Sequence, residues 1–211
     1  MGIPYENSSI KHLRWIVPSK FNLALVKKIK TDEEVVLKLH DVKLDYETEL
    51  NFLKVLNHLV DCRFVVKLID AEVPIEGSQE QRYGIVLEVL GDNLHDYLSR
   101  KPHLNQKTRV ALALNLVEAV AAIHRAGVAH CDLKPHQVCF TRNPGIELKL
   151  IDFDSACYIE SFKPLDRFTV TYAAPEVIHA EAAGKLSTFI PTKGVDLWPL
   201  GLMLAQIFHS P

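Results

Sequence analysis

Cysteine is scarce in this sequence, and its spacing does not suit a metal. The 211 residues include four cysteines. No two of them form a C-x-x-C pair, and none stands at a zinc-ligand spacing from a histidine. A zinc site is therefore not expected, and the pattern is typical of a protein in a reducing, intracellular compartment.

Net charge and long hydrophobic runs are also lacking. The chain has 24 Lys plus Arg and 26 Asp plus Glu, a formal net charge of −2, so no dominant nucleic-acid-binding surface is expected. The most apolar segments, 110–123 and 195–208, are too short and too interrupted to span a bilayer, and the N-terminus lacks the apolar core of a signal peptide. We expect a soluble, cytoplasmic or otherwise intracellular protein with neither nucleic-acid nor membrane partners.

The sequence does contain two different patterns, which meet near Gly91. With 48% hydrophobic residues the chain can bury a core, and its low net charge argues against disorder. Before residue 91, strand-like runs surround one helical pattern at 44–59. The predicted strands are 21–29, 34–40, 63–73 and 82–90.

After residue 91 helical patterns dominate. Helices are predicted at 93–100, at 104–127 with Gly127 as the C-terminal cap, and at 195–208. The predicted fold class is therefore α+β. It consists of a sheet-rich N-lobe at 1–90 and a mainly helical C-lobe at 91–211.

Five short segments carry a family resemblance. In chain order they are "VVLKL" (35–39), "HCDLKPHQV" (130–138), "IDFD" (151–154), "TVTYAAPEVI" (169–178) and "DLWPLG" (196–201). Together they resemble the motifs of the eukaryotic protein kinase family, over roughly residues 15–210. The resemblance implies a two-lobed protein-kinase-like fold, ATP and Mg²⁺ as cofactors, and a protein substrate or regulatory partner.

By this resemblance, ATP would lie between the two lobes. Lys38 would pair with the α- and β-phosphates and be held by Glu49 on the first helix. Val36 and Cys139 would enclose the adenine ring. The backbone at Glu88 and Leu90 would meet the edge of the ring.

The resemblance also implies the catalytic and metal-binding residues. Asp132 would accept the proton of the substrate hydroxyl, and Lys134 would neutralise the transferring phosphate. Asp152 would bind Mg²⁺. Gln137 stands where the family has an asparagine ligand for a second Mg²⁺, so its amide oxygen would reach the metal on a longer arm.

The resemblance also implies the class of substrate and two residues that support the catalytic loop. Lys134 and Thr169 occupy positions that favour Ser/Thr acceptors over tyrosine. His130 and Phe153 are expected to pack together in the core as scaffold.

The largest departure from the family is the missing glycine-rich loop. No glycine stands between Gly2 and Gly77. The best register places Val17, Ser19 and Asn22 where the family uses glycines to close backbone over the phosphates. We expect reduced ATP affinity.

Two further departures flank the expected catalytic residues. Asp154 replaces a glycine, which either restricts the backbone there or adds a carboxylate near the metal. Cys131 replaces the arginine with which the family binds a phosphate on the activation segment. Phosphorylation of Ser155, Ser161 or Thr169 would thus lack its usual partner, and any activity should not depend on it.

The sequence stops shortly after the 195–208 helix, so the resemblance implies a truncated C-lobe, as in a fragment of a longer protein. Glu176 is then expected to be solvated. Apolar surface on 197–208 is expected to be exposed, for a partner or an oligomer to cover.

Three functions remain open at this point. The first is an ATP-dependent Ser/Thr protein kinase. The second is a pseudokinase, a scaffold or binding module with weak or no turnover. The third is a small-molecule phosphotransferase of the kinase-like superfamily, against which the A-P-E and D-x-W-x-x-G segments argue.

Overall fold

A computed structural model describes most of the chain. The described residues are 10–16, 22–60, 63–73, 83–101, 103–161, 165 and 167–209. Val17 and Ser19, two of the expected loop positions, lie outside them. Asn22, the third, lies at the start of a strand, where its carbonyl accepts the N–H of Leu39 at 2.7 Å.

The first part of the chain forms a five-stranded sheet with spatial order β1-β2-β3-β5-β4. All its neighbouring strands are antiparallel. The strands are β1 (Ile10–Trp15), β2 (Leu23–Lys28), β3 (Glu34–His40), β4 (Leu68–Val73) and β5 (Tyr83–Leu87).

The side chains of β3 alternate between the two faces of the sheet. Leu37 and its alternate neighbours pack on one side of the sheet with residues of β2 and β5. Val36 and Lys38 point to the opposite side, since successive side chains of a strand alternate between faces. Val36 joins the main core there, together with Leu53 and Leu56 of the first helix.

One helix lies between β3 and β4, and helices dominate the described chain after β5. The helices are α1 (Lys43–Leu59), α2 (Leu94–Arg100), α3 (Gln106–Arg125), α4 (Pro175–Ala182) and α5 (Gly194–His209). Single 3₁₀ turns lie at Pro135–Gln137, Val170–Tyr172 and Leu186–Thr188. Two small antiparallel pairs lie between α3 and α4: β6 (Val128–Ala129) with β9 (Cys157–Tyr158), and β7 (Val138–Phe140) with β8 (Leu148–Leu150).

The longest helices owe their position to buried apolar faces. On α3, Leu112, Leu116 and Ile123 are fully buried, and they share one core with Met203 and Ile207 of α5. Side-chain caps start α2 and α3, where Asn93 and Asn105 accept backbone N–H groups three residues ahead.

The α+β class is confirmed, and so are the predicted helices and the strands of the sheet from β2 to β5. The sequence analysis missed β1. Of its apolar residues Ile10 is buried and Leu13 is 39% exposed, and its pairing with β2 is irregular between His12 and Arg14. A strand at the edge of a sheet needs little alternation, so the pattern that predicts strands is weak there.

The predicted exposure near the end of the chain is also found. Leu197, Trp198 and Phe208 on α5 are 51%, 46% and 41% exposed, and Glu176 is exposed. Within the described ranges, none of the helices is long and apolar enough to cross a membrane.

Two glycines should respond in opposite ways to alanine. Gly127 has φ +75°, as the residue after a helix often does, so Gly127→Ala should destabilise the fold by about 1 kcal/mol. Gly201 lies inside α5 with open space around an added Cβ, so Gly201→Ala should stabilise it by about 0.5–1 kcal/mol. Urea unfolding followed by circular dichroism measures both, and effects of the same sign would contradict this account.

Candidate active site

A buried ion-pair chain links the sheet, the first helix and the segment after β8. The Nζ of Lys38 donates to Oε2 of Glu49 at 2.6 Å and also to Oδ1 of Asp152. Glu49 lies on the inner face of α1, one turn before Leu53, and its side chain is fully buried. Strand alternation and helical periodicity thus bring Lys38 and Glu49 face to face.

Electrostatics keeps Lys38 and Asp152 charged. Burial opposes the charge of Lys38, but the carboxylates of Asp152, Glu49 and Asp154 outweigh it and raise the pKa of this lysine. Burial likewise acts to raise the pKa of Asp152, but Lys38 prevails and lowers that pKa to about 2. Burial and the neighbouring Asp152 raise the pKa of Asp154.

Asp152 and Gln137 lie side by side. The amide nitrogen of Gln137 donates to Oδ2 of Asp152 at 2.6 Å. Asp152 has φ +69°, an uncommon backbone conformation for this residue type. An ionised carboxylate and a side-chain amide oxygen are kinds of ligand that suit Mg²⁺, so Asp152 and Gln137 fit the ion by their chemistry.

A metal at this place would need further ligands. In the part of the chain that the structure describes, no three His, Cys, Asp or Glu side chains form a group able to hold a metal ion. Mg²⁺ commonly binds through one or two carboxylates and completes its shell with water and substrate phosphates. The arrangement therefore fits a metal that arrives with a phosphate ligand.

Asp132 and Lys134 form a second polar cluster with Thr169. The Nζ of Lys134 donates to Oδ2 of Asp132 at 2.5 Å and to the hydroxyl of Thr169 at 2.8 Å. The backbone N–H of Thr169 donates to the other oxygen of Asp132 at 2.8 Å. Both carboxylate oxygens of Asp132 are therefore held in one orientation.

One cleft is lined by residues of both clusters, Asp152 of the first and Asp132 and Thr169 of the second. It has a volume of about 470 Å³, and its walls include Asp132, Asp152, Asp154 and Thr169. This size is within the range of small-molecule sites. Glu181 is a fourth carboxylate in the lining of the cleft, and this acidic lining favours ligands that arrive with a cation.

The sequence analysis gave Asp196 no role, but this residue anchors the loop that carries Asp132. It is fully buried, and its carboxylate accepts the backbone N–H of His130 at 2.8 Å and that of Cys131 at 2.9 Å. The Nε2 of His124 on α3 lies 2.8 Å from it. The "DLWPLG" motif marked this aspartate, but its partners lie some 65 residues away and no local pattern reveals them.

His130 and Phe153 are scaffold, as predicted. Both are fully buried, and their ring centroids are 4.9 Å apart. The Nε2 of His130 lies 2.9 Å from the carbonyl oxygen of Ile151. These contacts tie the loop before Asp132 to the segment that carries Asp152.

Val36 and Cys139, which were expected to enclose adenine, are both buried. Val36 and Cys139 are 9% and 8% exposed, and burial raises the pKa of the Cys139 thiol to about 12. The side chain of Glu88 is held by Lys149 and by the N–H of Lys67. Among the backbone bonds of the described residues, none uses the carbonyl of Glu88 or the N–H of Leu90.

The structure thus brings together Lys38, Glu49, Asp152 and Gln137 in one chain of contacts, and Asp132, Lys134 and Thr169 in another. Sequence reasoning missed the Asp196 anchor. It also missed an ion pair between Asp45 on α1 and Arg167, which are 122 residues apart. Because neither residue belongs to a quoted motif, nothing in the sequence pointed to that pair.

Comparison with known families gives one extended match. The model of the protein kinase domain family matches residues 20–210, which is most of the chain. The matched range includes both polar clusters and the Asp196 anchor.

Individual relatives are all named as kinases. The chain is 33% identical over 173 residues to the dual specificity protein kinase TTK of Mus musculus, covering 78% of this chain and 19% of that protein. It is 26% identical over 191 residues to the probable serine/threonine-protein kinase yakA of Dictyostelium discoideum, covering 86% and 12%. It is 28% identical over 184 residues to mitogen-activated protein kinase 5 of Arabidopsis thaliana, covering 84% and 46%. The chain therefore spans less than half the length of each of these relatives.

Removing the charge of Asp196 should destabilise the fold. Asp196→Asn keeps the shape, but its NH₂ group must face a backbone N–H, so we expect a loss of about 2–3 kcal/mol in the free energy of unfolding. Glu118→Gln, an exposed change on α3, is the control and should stay within about 0.5 kcal/mol. Denaturant unfolding compares the two, and equal stabilities would show that Asp196 is not an anchor.

Proposed function

This chain belongs to the protein kinase family, and from that premise we propose that it binds ATP with Mg²⁺ and transfers the γ-phosphate to Ser/Thr hydroxyls of a protein substrate. The observation that carries the proposal is that two assembled clusters each contribute residues to one cleft. One is the Lys38–Glu49–Asp152 chain, and the other is the Asp132–Lys134–Thr169 cluster.

We propose that Lys38 holds the α- and β-phosphates while Glu49 keeps it in place. The contact of 2.6 Å between them and the full burial of Glu49 support this role. Val36 and Cys139 would then enclose adenine, with the Glu88 carbonyl and the Leu90 N–H at its edge. Both groups are left open by the backbone bonding of the described residues.

The metal would bind to Asp152, with the amide oxygen of Gln137 beside it. The low pKa of Asp152, about 2, keeps its carboxylate ionised at physiological pH. Mg²⁺, when bound, supplies positive charge that neutralises the phosphate oxygens. Asp154 adjoins this position, and burial and Asp152 raise the pKa of its carboxyl.

Asp132 would serve as the proton acceptor. As the substrate oxygen bonds to the γ-phosphorus, its proton passes to the Asp132 carboxylate and ADP leaves. Lys134 already contacts Asp132 and Thr169, so its ammonium is placed to offset charge on the transferring group. The N–H of Thr169 orients the carboxylate.

The same proposal includes the division of the chain into two lobes, the residue type that accepts the phosphate and the compartment of the protein. The N-lobe would comprise 1–90 and the C-lobe 91–211, with the site between them. The Lys134–Thr169 contact supports a Ser/Thr acceptor, although one relative is named a dual specificity kinase. Its partner would be a cytoplasmic protein substrate or regulator.

A second candidate is a pseudokinase scaffold, and a specific observation favours it. Both oxygens of Asp152 are already engaged, one by Lys38 and the other by Gln137. The sequence also has no glycine from residue 3 to residue 76 with which to close a loop over phosphates. Nucleotide would then bind weakly or without turnover.

Mg-ATP should raise the melting temperature. A ligand at about 100 times its Kd stabilises the folded state by about 2.7 kcal/mol, roughly 5–10 °C for a chain of this size. Lys38→Met and Asp152→Asn should lose the shift, while Lys28→Met, a lysine whose pairing with Glu33 is looser at 3.6 Å, should keep it. Absence of any shift at millimolar Mg-ATP would exclude the nucleotide site.

Asp132→Asn should abolish phosphoryl transfer but keep the Mg-ATP shift. Loss of a positioned general base costs at least about 100-fold in rate, and the substitution keeps the size of the side chain. Radiolabelled ATP with Ser, Thr and Tyr peptides measures kcat, and Asp70→Asn, an exposed change on β4, is the control. Unchanged transfer in Asp132→Asn would refute the assignment, and binding without transfer in the unaltered protein would favour the scaffold.

A further inference from the structure

An ion pair joins α1 to the segment before Thr169. The Nη1 of Arg167 donates to Oδ2 of Asp45 at 2.8 Å, and its Nη2 donates to Oδ1 at 2.6 Å. Two parallel bonds between a guanidinium and a carboxylate fix both distance and orientation. The Asp45 side chain is 18% exposed and that of Arg167 is 46% exposed.

On the helix side, this pair holds the turn that precedes Glu49. Asp45 and Glu49 are four residues apart, so they are neighbours on one face of α1. No side chain caps the start of this helix at Val42. Val42 and Leu44 are 54% and 61% exposed, so they contribute little packing there. Tyr46 is the buried residue of this turn, and the contact with Arg167 adds a second anchor beside the residue that holds Lys38.

On the other side, the pair holds the backbone that leads to Asp132. Arg167 stands two residues before Thr169, whose N–H and hydroxyl engage Asp132 and Lys134. Residues 167–169 have no regular secondary structure. A tie at Arg167 therefore restricts the approach of Thr169 to the catalytic carboxylate.

We propose that Arg167, through Asp45, is a positioning residue that aligns the two halves of the site in the unmodified chain. The inference rests on the proposed function and concerns how that activity is regulated. The fixed ion pair would order the segment before Thr169, a task that an added phosphate would otherwise perform. Cys131, at the place of a phosphate-binding arginine, is an uncharged side chain that is 6% exposed. The contact with Arg167 is instead made by a carboxylate that needs no modification.

An exposed ion pair is often worth little, so a matched pair is needed for comparison. Lys27 and Asp32 provide one, since the Nζ of Lys27 lies 2.9 Å from both oxygens of Asp32 on the β2–β3 hairpin. That pair joins residues only five apart and touches neither cluster of the site. If any surface ion pair sufficed, Lys27→Gln would behave like Arg167→Gln.

The experiment compares Arg167→Gln, Asp45→Asn, the charge swap Asp45→Arg with Arg167→Asp, and Lys27→Gln. Hydrogen exchange follows the amides of 43–49 and 167–172, and phosphoryl transfer is split into kcat and KM. Each single variant of the Arg167–Asp45 pair should speed exchange in both segments and lower kcat by roughly 2- to 5-fold, with the KM for ATP little changed. The swap should restore part of both effects, and Lys27→Gln should change neither.

Phosphatase treatment of the unaltered protein should leave kcat unchanged, because no phosphate is required. Loss of activity after that treatment would overturn the inference. So would unchanged exchange in Arg167→Gln, or a swap that restores nothing. If the unaltered protein transfers no phosphate, the proposed function fails, but the exchange experiment still decides whether Arg167 and Asp45 align the two segments.

Discussion

One buried carboxylate, that of Asp196, supports the arrangement of the catalytic loop. A fully buried negative charge is tolerated only where hydrogen bonds replace the lost water. Asp196 obtains these from the backbone of His130 and Cys131 and from the ring of His124. Because two of these donors are backbone N–H groups of the loop, their bonds to Asp196 set the path of the backbone just before Asp132. Within that stretch of backbone, Cys131 has a positive φ of +67°.

The two polar clusters depend on one another through charge. Asp132, Asp152 and Asp154 share one cleft, and like charges so close would repel without compensation. Lys38 and Lys134 each contact one of these carboxylates. Phosphates and a cation would enter a site in which carboxylates and lysines are already paired. The orientation of these charged groups is therefore set in advance, largely by electrostatic attraction. The Arg167–Asp45 pair adds a mechanical link between the same two halves.

The departures from the family pattern have different structural consequences. Cys131 is absorbed into a small apolar cluster with Ala129, Cys157 and Val195, so replacing the arginine leaves no buried charge behind. Gln137 reaches Asp152 directly, which gives its longer arm a partner. Asp154 pairs with the hydroxyl of Ser155 at 3.0 Å while the pKa of its carboxyl is raised. These contacts explain how the fold accommodates the three altered residues around the site.

The sequence by itself determined the α+β class, most of the elements and the three aspartates that line the cleft. Periodicity and capping are local, and the motif order placed Lys38, Asp132 and Asp152 on recognisable segments. It did not reveal β1, whose edge position leaves no clear alternation. Nor did it reveal the anchoring by Asp196 or the Arg167–Asp45 pair, and it could not tell which partner each oxygen of Asp152 takes. Those contacts join residues distant in the chain, and only the packing of α1, α5 and the sheet brings their donors and acceptors within hydrogen-bonding distance.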